Sequence, residues 1–100
     1  MIAIESSKQL NKAFENRIKL GIMAHLMVNE KESFMNFKKM FDLADGNLAT
    51  HLNSLDREGH VTIKKKFVGK RPLTTYHLTP KGRKAFSEHI ALMEKILKGK

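Results

Sequence analysis

The chain contains no cysteine, which excludes disulfides, thiolate metal sites and cysteine nucleophiles and is compatible with a reducing compartment. No stretch approaches the ~18 consecutive apolar residues of a membrane-spanning helix. The first residues, MIAIESSKQLNKAFENR, carry neither the basic n-region nor the long apolar h-region of a secretory signal. A cytoplasmic protein without membrane attachment is therefore expected. No Pro/Gly/Ser linker, internal repeat or low-complexity segment divides the 100 residues, so a single domain over residues 1–100 is expected. A chain of this length can bury roughly 60–70% of its unfolded surface without covalent staples. Catalytic signatures are missing as well. There is no G-x-S-x-G elbow, phosphate-binding glycine loop or H-E-x-x-H pair, and Asp56 and Glu58, two apart on an expected helix, project in different directions. Neither an enzyme nor a cofactor is expected.

The most informative absence is of negative charge. From Gly59 to Ser87 there is no Asp or Glu, while Lys64, Lys65, Lys66, Lys70, Arg71, Lys81, Arg83 and Lys84 are all basic. The whole chain carries a formal charge of +9, which favours an anionic partner through release of condensed counterions. A membrane-surface helix would need its cations along the polar side of one amphipathic segment. Here they gather in an expected hairpin and at a helix start, so nucleic acid is preferred.

Residues about 7–28 carry Phe14, Ile18, Ile22, Met23, Leu26 and Met27 at helical steps, and Ser6 or Ser7 could cap that helix. Gly21 inside it marks either a break or a close packing point. Phe34, Phe37, Met40 and Phe41 form a second, shorter period. Ser33 is the better cap for it, although Ser33 and Phe34 could equally form a short strand. A third helix, about 45–58, is expected with Asp45 as N-cap, Leu48, Leu52 and Leu55 as its buried stripe, and Gly59 as its stop. Gly46, Asn47, Thr50, Asn53, Ser54 and Arg57 fall away from that stripe, and His51 lies at its border.

Val61 to Phe67 and Leu73 to Leu78 then alternate as two strands, with Gly69 and Pro72 punctuating the loop and Lys70 and Arg71 at its tip. Thr79 and Pro80 begin a last helix, about 80–98, as N-cap and first helical residue. The fold class is thus mainly α with a small β-hairpin (α+β). Phe14, Met23, Phe34, Phe37 and Phe41 are expected core residues.

Three helices, a hairpin and a further helix follow the order of a winged helix-turn-helix. The segments Leu43-Ala-Asp-Gly-Asn-Leu-Ala-Thr-His-Leu52, Leu55, Glu58-Gly59, Val61, Gly69-Lys-Arg-Pro72 and Thr75-Tyr-His-Leu-Thr-Pro-Lys-Gly82 resemble the small MarR-like, ArsR-related winged-helix transcriptional regulators of bacteria and archaea. The resemblance spans about residues 15–97 in one register. It implies a sequence-specific regulator of double-stranded DNA, a dimeric repressor, with helix 45–58 in the major groove and the wing, about 64–75, on the backbone or minor groove. Asn47, Thr50 and Ser54 are the expected base readers, since Asn can pair bidentately with adenine and hydroxyls can donate or accept. His51 is an expected base or phosphate contact. Lys64, Lys66, Lys70 and Arg71 are expected on the phosphates, where contacts position rather than specify, with Arg71 suited to a narrow minor groove. Two positions depart from the family pattern. Asp42 stands where many relatives have Gly, and Met35 stands where Ser or Thr often caps the second helix.

The apolar stripe Phe86, Ile90, Met93 and Leu97 has two readings, packing within the domain or pairing with a second subunit. Its place on the last helix favours a homodimer interface shared with the N-terminal helix, so that helices 7–28 and 80–98 would join the subunits. Arg83 and Lys84 sit near a helix N-terminus, an electrostatically unfavourable place that calls for a compensating anion. His25, His51, His60, His77 and His89 show no i, i+4 pair on a helix and no partnering cysteine, so no metal site is expected. The alternative to DNA reading is a winged-helix module that contacts protein or RNA in a larger assembly. No small-molecule effector can be read from these residues.

Overall fold

The computed structural model describes residues 12–99. A short 3-10 turn (Lys12–Phe14) leads into helix α1 (Arg17–Asn29), strand β1 (Lys31–Ser33), helix α2 (Phe34–Phe41) and helix α3 (Asp45–Arg57). Strands β2 (Val61–Val68) and β3 (Arg71–Leu78) follow, and helix α4 (Pro80–Leu97) closes the order. The three strands form one antiparallel sheet in the order β1-β3-β2.

The single helix expected over 7–28 is divided within the described residues. Asn16 adopts an extended conformation and its side-chain oxygen accepts from the N–H groups of Ile18 and Lys19 at 2.8 and 3.1 Å. Such a side chain competes with the helical backbone and starts a new helix instead of continuing an old one. The expected cap at Ser6 or Ser7 lies outside the described residues. From Arg17 onward α1 is unbroken, and Gly21 proves to be a packing point: a Cβ there would stand 2.7 Å from the Phe41 ring.

The strand reading of Ser33 and Phe34 holds for Ser33 alone, since Phe34 opens α2, and it coexists with the cap reading. Ser33 ends β1, and its hydroxyl accepts from the Asn36 N–H at 3.2 Å to cap α2. Asp42 then takes the left-handed conformation, φ 50°, that ends α2. Asp tolerates this region better than most residues, so it makes the turn in place of Gly. The expected cap of α3 moves by one residue: Ala44 holds the N-cap position without a side-chain bond, and Asp45 is in the first turn. There its carboxylate favours the positive end of the helix dipole and lies 2.7 Å from the Lys38 ammonium.

The hairpin is longer and tighter than expected. Val68 pairs with Arg71, which leaves a two-residue turn of Gly69 and Lys70. Gly69 alone of these two has positive φ, 65°, as a II′-type turn requires at its first central position. Pro72 is therefore inside β3, opposite Phe67. With Val68–Arg71 closing the turn as a hydrogen-bonded pair, Phe67–Pro72 falls in the wide register where no ladder N–H is needed.

The core draws one face from every helix: Phe14, Ile22, Met23, Leu26, Phe37, Leu48, Leu52, Leu55 and Phe86, with Val61 and Tyr76 from the sheet. Phe34 and Phe41 pack against it partly buried. As expected, Thr79 caps α4, accepting from the Gly82 N–H at 2.9 Å, and Pro80 is its first residue. The Thr79 hydroxyl also reaches the Gly59 carbonyl at 2.6 Å, so this cap ties α4 to the corner between α3 and β2. Among the described residues no helix is long and apolar enough to cross a membrane.

Candidate nucleic-acid interface

Helix α3 presents its leucine stripe to the core and a polar face to solvent, because Leu48, Leu52 and Leu55 recur at a spacing that follows the helical turn. On the solvent side Gly46, Asn47, Thr50, Asn53 and Arg57 are exposed. The Thr50 hydroxyl donates to the Gly46 carbonyl at 2.8 Å, which leaves its oxygen lone pairs outward. Asn47 and Asn53 make no side-chain hydrogen bond among the described residues, so both amides keep full donor and acceptor capacity.

Ser54 is placed differently from its expected companions. It is half-buried on the flank of α3 that meets α1, where its oxygen accepts from Lys19 Nζ at 2.7 Å and its hydroxyl donates to Glu58 Oε1 at 3.0 Å. This small network commits the hydroxyl proton and one lone pair of Ser54 to holding α3 against α1. His51 lies half-buried on the same flank, and burial, with help from the nearby Lys19 charge, lowers its pKa. It presents a neutral imidazole at neutral pH. Asn53, which sits between Thr50 and Arg57 on the outward face, was not singled out by sequence reasoning; the same wheel that found the leucine stripe places it there.

The wing supplies charge. Lys64, Lys65, Lys66, Lys70 and Arg71 are exposed, and none makes an ion pair among the described residues. The register sorts them. Val61 pairs with Leu78 and Ile63 with Tyr76, which are core contacts, so Lys65 and Phe67, two and four residues beyond Ile63, share the inner face that carries α3. Lys64, opposite Thr75, and Lys66, opposite Leu73, point from the outer face. Lys70 occupies the tip, and Arg71, opposite Val68, stands beside it on the outer side. A one-residue difference on a strand reverses direction, so the two lysines expected on the operator face away from the recognition helix, while the unassigned Lys65 faces toward it.

The expected anion near Arg83 is internal: Glu30 Oε1 lies 3.4 Å from the guanidinium. His25 is satisfied by Glu32 at 2.8 Å. Among the described residues no cluster of three or more His, Asp or Glu side chains could hold a metal ion.

Residues 18–97 match the model of a family described as winged helix DNA-binding domain. The chain belongs to that family. This winged-helix protein is 37% identical over 79 residues to an uncharacterised protein of Methanocaldococcus jannaschii, an alignment that covers 79% of the chain and 86% of that relative. Its fold matches the solved structure of a transcriptional regulator homologue from Pyrococcus horikoshii with a TM-score of 0.86 at 30% identity, covering 95% of this chain and 96% of the other. Bordetella bronchiseptica BpsR, solved in work on the regulation of its DNA binding by 6-hydroxynicotinic acid, gives 0.69 at 14% identity over 97% and 74% of the two chains. At that identity the likeness shows the fold alone. The winged-helix protein is a MarR-like DNA-binding transcription regulator, and the family is one of DNA-binding proteins, not enzymes.

Proposed function

We propose that the winged-helix protein acts as a homodimeric, sequence-specific repressor in the cytoplasm, inserting α3 into the major groove of each half of a pseudo-palindromic operator. The observation that carries this reading is an exposed polar face on α3 beside a wing whose cations have no ion pairs among the described residues. Asn47, Thr50 and Asn53 are the base readers in this proposal, with His51 at the edge of the contact. Lys65 meets the backbone from the inner face of the wing, and Lys70 and Arg71, at the end of the hairpin, reach the backbone or minor groove from its tip. Lys64 and Lys66, on the other face of the wing, take no part in that contact.

The dimer reading rests on the stripe of α4. Phe86 is 4% exposed and engaged within its own domain, and Ile90 packs partly against the same core. Met93 is half-buried, and Leu97 is 83% exposed. The stripe thus leaves the domain toward the end of α4, and burying its outer part, Met93 and Leu97, against a second copy would remove apolar surface from water. Two α3 helices one duplex turn apart, about 34 Å, would then read the operator.

Selection of bound sequences from a random duplex pool tests the proposal. A two-fold-symmetric site is expected. Lys70→Ala should weaken every sequence alike, and Asn47→Ala should relax preference at one position in each half-site. Identical selected profiles for the two variants would contradict the division of roles. Capture of a stable protein or RNA partner that DNA does not displace would favour the interaction-module alternative.

A further inference from the structure

Away from the hairpin tip, the outer face of the sheet has no place in operator reading, yet it gathers positive charge. The registers put Lys31 opposite His77 and Lys64 opposite Thr75, with Lys66 two residues further along β2 on the same side. Lys31, Lys64, Lys66, Thr75 and His77, together with Lys65 and Glu32, line an open hollow of about 770 Å³. A second hollow of about 550 Å³ adjoins it through Lys31 and His77. The one carboxylate in this lining, Glu32, makes no ion pair with these lysines. Its oxygens accept from His25 at 2.8 Å, from the Ser33 N–H at 2.8 Å and from Asn36 at 2.8 Å.

Four lysines and a single carboxylate line this hollow, so its ammonium groups repel one another with little internal compensation. The convergence is electrostatically felt at its floor: burial and then the charges of Lys64, Lys31 and Lys66 lower the pKa of His77. The Thr75 hydroxyl is 3.0 Å from His77 Nε2 and also reaches the Lys64 carbonyl at 3.4 Å, so its proton is engaged within the sheet. Ammonium donors around an open groove suit phosphate oxygens. A groove that is open and not enclosed suits a polymer backbone more than a small anion.

We propose that the outer face of the β1-β3-β2 sheet is a second phosphate-binding surface for duplex DNA, formed by Lys31, Lys64 and Lys66 and separate from the α3 face. It rests on the DNA-binding role of the fold but not on operator recognition. The phosphates come from one of two sources, DNA flanking the operator that curves back along the wing, or a second duplex bridged to the first.

The test compares the full chain with the triple variant Lys31→Gln, Lys64→Gln, Lys66→Gln on a trimmed duplex and on one extended by one helical turn, about 10 bp, at each end. If flanking DNA is the source, the wild type binds the extended duplex more tightly. The triple variant then loses that gain, with a salt slope on the extended duplex lower by about 2.7, or about 0.9 per lysine, and an affinity for the trimmed duplex within about twofold of wild type. If a second duplex is the source, the wild type co-precipitates two differently labelled trimmed duplexes and the variant does not. Equal losses on both lengths, or neither a length-dependent gain nor bridging in the wild type, would overturn the proposal. The same differences are read on duplexes of random sequence, so failure of operator recognition would not hide them.

Discussion

Replacing Gly82 with Ala should be among the most damaging single-methyl changes in this protein. Gly82 lies in the first turn of α4, where the helix meets the corner between α3 and β2. A Cβ at this position would fall inside the contact radius of the His60 carbonyl oxygen and 2.9 Å from the His60 carbonyl carbon and Cα. The obstacle is backbone, so no side-chain rotation relieves it. Helix α4 would have to lift away, a distortion of about 1–3 kcal/mol by analogy with overpacked cores. Lifting also stretches the bonds that Thr79 makes to this corner, its N–H to the His60 carbonyl at 3.2 Å and its hydroxyl to the Gly59 carbonyl at 2.6 Å. Each such bond contributes about 1 kcal/mol. The intrinsic preference of a helix for Ala over Gly returns roughly 0.8–1.0 kcal/mol. The net loss is about 3 kcal/mol, which lowers Tm by roughly 12–24 °C in a domain of this size. Thermal unfolding followed by circular dichroism measures it, with Gly46→Ala as the control. Gly46 is also helical, but a Cβ there meets nothing within 4 Å, so its substitution should be neutral or slightly stabilising. Matching Tm values for the two variants would refute the close-approach argument.

Ser54→Ala should cost about 1 kcal/mol by removing the bridge between Lys19 and Glu58, while leaving the selected DNA sequence unchanged. Asn53→Ala should do the reverse, and a changed base profile for Ser54→Ala would return Ser54 to the reading face. Gly69→Ala forces an L-residue to φ 65° at the wing turn, which costs about 1–2 kcal/mol; amide exchange at the hairpin tip should accelerate while that of α3 does not. Acid should destabilise the fold through its histidines. Burial lowers the pKa of His60 and His89 below the ordinary 6.5, so the unfolded chain binds protons first as pH falls. Stability is then level above about pH 7 and declines through 6.5 toward the folded values. The Glu32 carboxyl, which burial raises but hydrogen bonds from Ser33, Asn36 and His25 bring down overall, adds its own loss only below about 4.5. Urea midpoints across pH should show the first decline, and His60→Leu should flatten part of it; an unchanged slope would place the proton uptake elsewhere.

Much of the fold was legible because its signals are local. The leucine stripe of α3, the Thr79-Pro80 helix start and the alternation of β2 each rest on residues within one or two turns of chain. Strand β1 was only half visible. Three residues are too few to show alternation, and Lys31–Ser33 is a strand only because β3 pairs with it. The break at Asn16 was hidden for the opposite reason, since the apolar period runs on through it while one side-chain oxygen recaps the backbone.

The functional face divides along the same line. Composition and spacing alone determined that the partner is anionic and that α3 turns polar groups outward, because charge and helical period are properties of the sequence itself. Which of those groups are still available was decided by the tertiary structure. Ser54 differs from Thr50 because it is half-buried and tied to Glu58 and to Lys19, which is thirty-five residues away. Lys65 and Lys64 differ only in strand register, which the turn at Gly69 and the burial of Val61 and Tyr76 impose, and that register sends neighbouring lysines of one run to opposite faces of the wing.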